Sequence, residues 1–265
     1  MIIDFHTHAF SDKIVKKAVK VLVDNSGGIN PVFDGTITGL LNCAGVNGID
    51  YCVLLNIATN ERQMKVVNDF AIEANGGRII SFGSVYPIAD SAVDELYRIH
   101  SAGLKGIKLH PAYQGFYPDD DRAMKVYEKA AELGLITVFH AGTDIGIFEP
   151  NYSAPERIAN ALPAFKNAPV AAAHFGGYMQ WYDVEKHLVG KNIYFDTSYC
   201  YSKMPFQQAR RIVSDHGADK ILFGSDLPWS AAADEMRFVA SLGLSEDENK
   251  LIFGGNAARL LRIKA

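Results

Sequence analysis

The chain has 265 residues, 48% of them hydrophobic and 21% charged, an ordinary globular balance for a protein long enough to bury a core without disulfides. Its formal net charge of -4 and its lack of any basic run argue against an electrostatic grip on nucleic acid or an anionic membrane. No stretch approaches ~18 uninterrupted apolar residues, and Met1 to His6 lacks the make-up of a signal peptide, so neither a membrane span nor secretion is expected and a cytoplasmic location is.

Short β-rich runs alternate along the chain with longer helical patterns. The first strand is expected at Ile2–His6 and the second at Asp50–Asn56. Glu61–Asn75 then reads as an amphipathic helix closed by Gly76-Gly77. The third strand is expected at Arg78–Val85, followed by a helix over Ser91–Ala102 that stops at Gly103. The fourth is Leu104–His110, and the acidic start at Asp119 opens a helix that runs to Leu133 and ends at Gly134. The fifth is Ile136–His140, the sixth Val170–His174 and the seventh Ile193–Asp196, with a helix over Pro205–His216 after it. The eighth is Lys220–Asp226. Several of these runs are almost continuously apolar, as parallel strands buried on both faces are.

Eight strands, each followed by a helical stretch, predict an α/β fold of the (β/α)8 TIM-barrel type. No linker or composition break divides the chain, so residues 1–265 are read as one domain. The least regular stretches are Asn25–Asp34, Pro111–Pro118 and Thr143–Pro155. Two of them follow a strand that ends in His, which makes them candidate active-site loops. Cys43, Cys52 and Cys200 have no disulfide or metal spacing and are read as small buried hydrophobes.

The chemistry is carried by the strand ends. His6, His110, His140 and His174 end four strands and Asp226 ends the eighth. In a (β/α)8 barrel these ends converge on one mouth, where active sites are built. In His6-Thr7-His8, residues i and i+2 of a strand share a face, so two imidazoles about 6.5 Å apart at the backbone can converge on one ion. His140 is placed to add a third nitrogen and Asp226 a hard oxygen, leaving an open position as in catalytic sites. The donor mix suits one Zn ion, with Mn, Fe or Co as alternatives. The other histidines, His100, His187 and His216, fall within helical patterns and are read as surface residues.

Five segments together resemble the amidohydrolase superfamily: Ile3-Asp4-Phe5-His6-Thr7-His8, Gly106-Ile107-Lys108-Leu109-His110-Pro111, Val138-Phe139-His140-Ala141-Gly142, Ala173-His174-Phe175-Gly176-Gly177 and Phe223-Gly224-Ser225-Asp226-Leu227-Pro228-Trp229. The nearest branch is the amidohydrolase-related group, which includes aminocarboxymuconate-semialdehyde decarboxylase and related aromatic-acid decarboxylases. Gly255-Asn256-Ala257-Ala258-Arg259-Leu260-Leu261 resembles that group's last helix. The resemblance implies that His6, His8, His140 and Asp226 bind metal and that His174 is an acid–base or polarising group. It implies that Lys108 would bridge two metals only if carboxylated; Lys108 is read here as a barrel-interior charge, and a second ion is not expected. His110 is read either as a substrate contact or as a structural residue held by Pro111.

The expected chemistry is hydrolysis of a small amide, lactone or ester by metal-activated water, with Asp226 and His174 as the catalytic pair. The alternative is nonoxidative decarboxylation of an aromatic or unsaturated carboxylic acid. Decarboxylation needs a cation for the carboxylate, and no Arg stands at a strand tip; Arg62, Arg157 and Lys203 are the only substitutes in view. A third reading is a barrel that binds without catalysing, and phosphoester hydrolysis is a further use of the same centre, with DNA disfavoured by the acidic balance. Tyr113, Gln114, Phe116, Phe148, Tyr178, Tyr199 and Trp229 fall in loops after strands and are candidate pocket residues, with His110, Tyr113, Tyr178 and Trp229 taken as the substrate contacts. A homodimer is expected from the resemblance, and no nucleic-acid or membrane partner.

Overall fold

A computed structural model of the protein describes residues 1–147 and 149–264. Its eight strands are β1 (Ile3–Thr7), β2 (Tyr51–Leu55), β3 (Ile79–Phe82), β4 (Gly106–Leu109), β5 (Ile136–Phe139), β6 (Val170–Ala172), β7 (Tyr194–Asp196) and β8 (Ile221–Leu222). All neighbouring pairs are parallel, in the order β1-β2-β3 and β4-β5-β6-β7-β8.

Two seams close these sheets into one ring. Between β3 and β4, the Gly83 amide donates to the Gly106 carbonyl at 2.9 Å and the Lys108 amide to the Gly83 carbonyl at 2.8 Å. Between β8 and β1, the Phe5 amide donates to Phe223 and the Asp226 amide to His6, each at 2.8 Å. The result is the closed (β/α)8 barrel that the alternation predicts. Strand ends run shorter than expected: β3 stops at Phe82 and β8 at Leu222, because the chain turns toward the mouth there. His110, His140, His174 and Asp226 therefore sit just beyond their strands.

The helices form where periodicity places them, at Glu61–Ala74, Ala92–Ser101, Asp121–Glu132 and Phe206–His216. Asp120 caps the third of these by accepting from the Arg122 amide. Pro111–Gln114, expected to be irregular, is a short helix begun by Pro111 and capped by the His110 ring. Val15–Asn25 and Ile37–Val46 are further helices between β1 and β2. At the opposite face, Ala257, Ala258 and Leu261 of the C-terminal helix Asn256–Leu261 pack with barrel residues that include Phe5, Val138 and Leu222. Lys105, just before β4, donates to the Leu261 carbonyl, which fixes this helix at the N-terminal ends of the strands.

Two expectations about single residues are corrected. His216 is a buried residue, not a surface one: Nε2 donates to the Ile193 carbonyl at 2.8 Å, Nδ1 accepts from the Gly190 amide, and the ring stacks on Phe195 at 4.0 Å. Cys52 and Cys200 are buried as expected, whereas Cys43 is half-buried.

Candidate metal centre

The mouth of the barrel gathers the strand-tip side chains. His6 Nε2 and His8 Nε2 stand 3.2 Å apart, and Asp226 Oδ1 lies 3.4 Å from the first and 3.2 Å from the second. His140 Nδ1 faces His174 Nε2 at 3.2 Å, and the His6 and His174 rings are 5.2 Å apart. His174 and Asp226 both hold positive φ, 60° and 71°, a conformation few side-chain-bearing residues adopt and one common at functional sites.

The outward nitrogens decide where the protons are. His8 Nδ1 meets the Leu55 carbonyl at 2.9 Å, and His174 Nδ1 meets the Ser198 carbonyl at 3.0 Å. A carbonyl only accepts, so both Nδ1 atoms carry hydrogen, and in the neutral rings, the form that binds metal, both Nε2 atoms are lone pairs. His6 Nδ1 meets Asp196 Oδ2 at 2.9 Å. Burial pushes the Asp196 carboxyl up, but its pairing with His6, with His174 and Lys108 beside it, outweighs burial and holds it well below the usual carboxylate range. Asp196 is therefore a carboxylate, and His6 Nε2 is a third lone pair. Burial also pushes Asp226 up, and its place beside His6, His8 and His174 brings it below its ordinary value.

Three acceptors thus converge within 3.4 Å of one another with no hydrogen among them. Such a cluster suits a cation. Lys108 supplies part of that charge, its Nζ lying 3.4 Å from His6 Nε2, but one ammonium contact leaves His8 and Asp226 uncompensated. The donor set of two imidazoles and a carboxylate fits a divalent ion, with the outer partners Asp196 and Leu55 orienting the rings as second ligands' supports do in metal sites.

His140 does not stand within this trio; its ring lies between His174 and a second group formed with His110 and Asp144. His110 stacks on His140 at 4.1 Å and on Tyr113 at 4.0 Å. Asp144 Oδ2 lies 3.5 Å from His110 Nε2 and 3.8 Å from His140 Nε2.

The site opens into a cavity of about 700 Å³. His6, His8, His140, His174 and Asp226 line it, as do His110, Tyr113, Tyr178 and Trp229, the residues expected as contacts, and the pocket candidate Tyr199. Gln114 and Phe116 do not: Gln114 is buried and donates to the Ala58 and Val85 carbonyls, and Phe116 lies in the core. Phe148 lies outside the described residues. Lys203 turns its ammonium onto the Tyr199 ring at 4.0 Å, and Arg157 pairs with Asp119 at 3.0 Å, so neither faces the cavity. Lys108 does face it from the floor, and burial lowers its ammonium to about 8 against the pull of Asp196 and Asp226.

Asp196, Asp144 and Ser198 join the site without being expected there from sequence. Asp196 ends β7 and carried the same strand-tip signal as Asp226. Asp144 sits four residues after His140 in an irregular loop, with no periodicity to single it out.

A (β/α)8 barrel with a histidine–carboxylate cluster at the C-terminal mouth defines a broad enzyme class. The family model described as amidohydrolase matches residues 3–263, and the chain belongs to that family. Among solved structures, it is similar to an uncharacterized TIM-barrel protein from Bordetella bronchiseptica, with 20% identity, 98% of each chain covered and a TM-score of 0.77. It is also similar to 5-carboxyvanillate decarboxylase from Sphingomonas paucimobilis, with 18% identity over 100% of this chain and 99% of that one, TM-score 0.72. A third is a dihydroxybenzoic acid decarboxylase from Polaromonas sp. JS666 with bound manganese and the inhibitor 2-nitroresorcinol, with 16% identity over 100% and 98%, TM-score 0.71. No curated protein matches the chain in sequence. No helix among the described residues is long and apolar enough to cross a membrane.

Proposed function

We propose that the protein is a metal-dependent carboxy-lyase that removes CO2 without oxidation from a small aromatic carboxylic acid. The observation that carries this reading is Lys108, a buried ammonium on the floor of an aromatic-walled cavity, beside the His6–His8–Asp226 trio. The sequence argument leaned to hydrolysis because no Arg stands at a strand tip; Lys108 meets that need from one step lower. The likeness to two decarboxylases along essentially the whole chain supports the same choice.

His6, His8 and Asp226 would hold the ion, with His140 and His174 facing it from the other side. When bound, a divalent ion supplies Lewis-acid charge that orients an anionic substrate. Lys108 pairs with the substrate carboxylate and sets its direction in a water-poor floor, where a charge is worth more than in bulk solvent. Tyr113, Tyr178 and Trp229 hold the ring by its faces. The bond from ring to carboxylate then breaks, its electron pair stays on the ring carbon, and that carbon takes a proton. His174 and Asp226 border the cavity, and we assign them to that transfer.

The test is a panel of 2-hydroxybenzoates, lactones and amides given to Zn- and Mn-loaded enzyme. CO2 release from a benzoate with no hydrolytic turnover supports the reading. Hydrolysis of a lactone or amide with no CO2 from any acid overturns it and restores the hydrolase.

A further inference from the structure

His140 has a nitrogen that the metal trio does not explain. Its outward Nε2 is buried and has no hydrogen-bond partner, in a residue only 7% exposed. Asp144 Oδ2 lies 3.8 Å from it.

The inward side limits the choices. His174 Nε2 is a lone pair, because Nδ1 of that ring donates to the Ser198 carbonyl. It faces His140 Nδ1 at 3.2 Å. One arrangement puts a proton between these two nitrogens. His140 Nε2 is then a buried lone pair aimed at a carboxyl, which is unfavourable. The other arrangement gives both inward lone pairs to a cation. The His140 proton then sits on Nε2, on the side where the Asp144 carboxyl stands 3.8 Å away. Only the second turns the His140 N–H toward a carboxyl.

Asp144 is built for this part. Its Oδ1 accepts the Gly146 amide at 2.8 Å, which fixes the carboxyl in its loop. Its Oδ2 is left for the rings. His110 Nδ1 accepts the Tyr113 amide, so the His110 proton is on Nε2, which points at the same oxygen from 3.5 Å. Two parallel imidazoles, 4.1 Å apart and inclined by 9°, thus present their Nε2 edges to one carboxylate oxygen. This geometry also argues against a separate ion among His110, His140 and Asp144. The His110 nitrogen there carries hydrogen, and lone pairs on stacked rings run side by side instead of converging.

We propose that Asp144 is a positioning residue of the metal centre. Its carboxyl, facing His140 Nε2 from 3.8 Å, favours the ring form with the proton on Nε2 and Nδ1 turned inward as a ligand atom, the part Asp196 plays for His6 through a 2.9 Å hydrogen bond. It also ties occupancy of the centre to the loop from Thr143 to Ile147. The proposal rests on the reading of His6, His8 and Asp226 as a metal site.

The test is metal affinity, measured by competition with a chromophoric chelator for Zn²⁺, together with metal content per chain. Wild type, Asp144→Ala and Asp144→Asn are compared at matched folding, checked by circular dichroism. The expectation is a 10–100-fold weaker affinity in Asp144→Ala at unchanged stoichiometry, the usual effect of losing a ligand's outer partner. Asp144→Asn, which keeps an acceptor oxygen without the charge, falls between and serves alone if the alanine variant does not fold. Wild-type affinity in the variants overturns the proposal. So does loss of a whole equivalent of metal, which would make Asp144 a ligand of a second ion. A wild-type chain that takes up no divalent metal defeats the parent reading instead.

Discussion

His6 Nε2 and His8 Nε2 face each other across 3.2 Å with no hydrogen to share, because Asp196 and the Leu55 carbonyl hold their protons on the far side of each ring. Asp226 adds a carboxylate oxygen to the same point. Removing bound metal should therefore leave a cluster of repelling acceptors. Stripped protein is expected to melt at a lower temperature, and Zn²⁺ or Mn²⁺ at a hundredfold excess over its dissociation constant should return about 2.7 kcal/mol. Thermal melts across a metal titration check this; an unchanged melting temperature contradicts it.

Lys108 is 1% exposed, and its replacement separates chemistry from stability. Lys108→Met keeps the stem and removes the charge. Decarboxylase turnover should fall by about 10²–10³-fold, as when one preorganised electrostatic group is lost. In the metal-loaded protein, where the ion compensates the His6, His8 and Asp226 acceptors, folding stability should hold, since a buried cation is itself costly to keep. Steady-state CO2 release and chemical denaturation of the same sample read the two effects.

Much of this was legible in the sequence. Eight apolar runs gave the strands, because parallel strands buried on both faces leave little room for other residues. His6, His8, His110, His140, His174 and Asp226 stood out because barrel topology brings strand tips together whatever their separation along the chain. Lys108 was visible, but its depth was not: whether a strand residue lies on the cavity floor or under it depends on barrel closure. Asp144 depends on how an irregular loop folds back. His216 was misread although Ala209, Ile212, Val213 and His216 share one helical face and all are buried. That spacing was the available signal.

Glu235 gives a pH dependence away from the mouth. Burial raises its carboxyl to about 7, against hydrogen bonds from Ser230 and the Tyr201 and Cys200 amides. The folded chain thus keeps a proton that the unfolded chain, near its ordinary 4.5, has released. This group's contribution is complete below pH 4.5 and is lost as pH rises to about 7, by a few kcal/mol at most. Glu235→Gln should flatten the fall in stability across that window. Urea melts from pH 4.5 to 8 on both proteins decide it; parallel curves refute the assignment.

Gly142 joins the β5 tip to the loop that carries His174 and Tyr178. Its φ is +82°, and a Cβ there would lie 2.2 Å from the Tyr178 amide nitrogen. Gly142→Ala must push these backbones apart, at a cost of about 1–3 kcal/mol. Because the strain falls at the mouth, metal affinity should weaken along with stability. A variant as stable as wild type would show that the two segments are not held this closely.

The most direct measurement is anomalous diffraction at the zinc or manganese edge from crystals of the metal-loaded protein. A peak about 2.0–2.2 Å from His6 Nε2, His8 Nε2 and an Asp226 oxygen is the predicted result. No peak at the mouth, or one lying only among His110, His140 and Asp144, would contradict it.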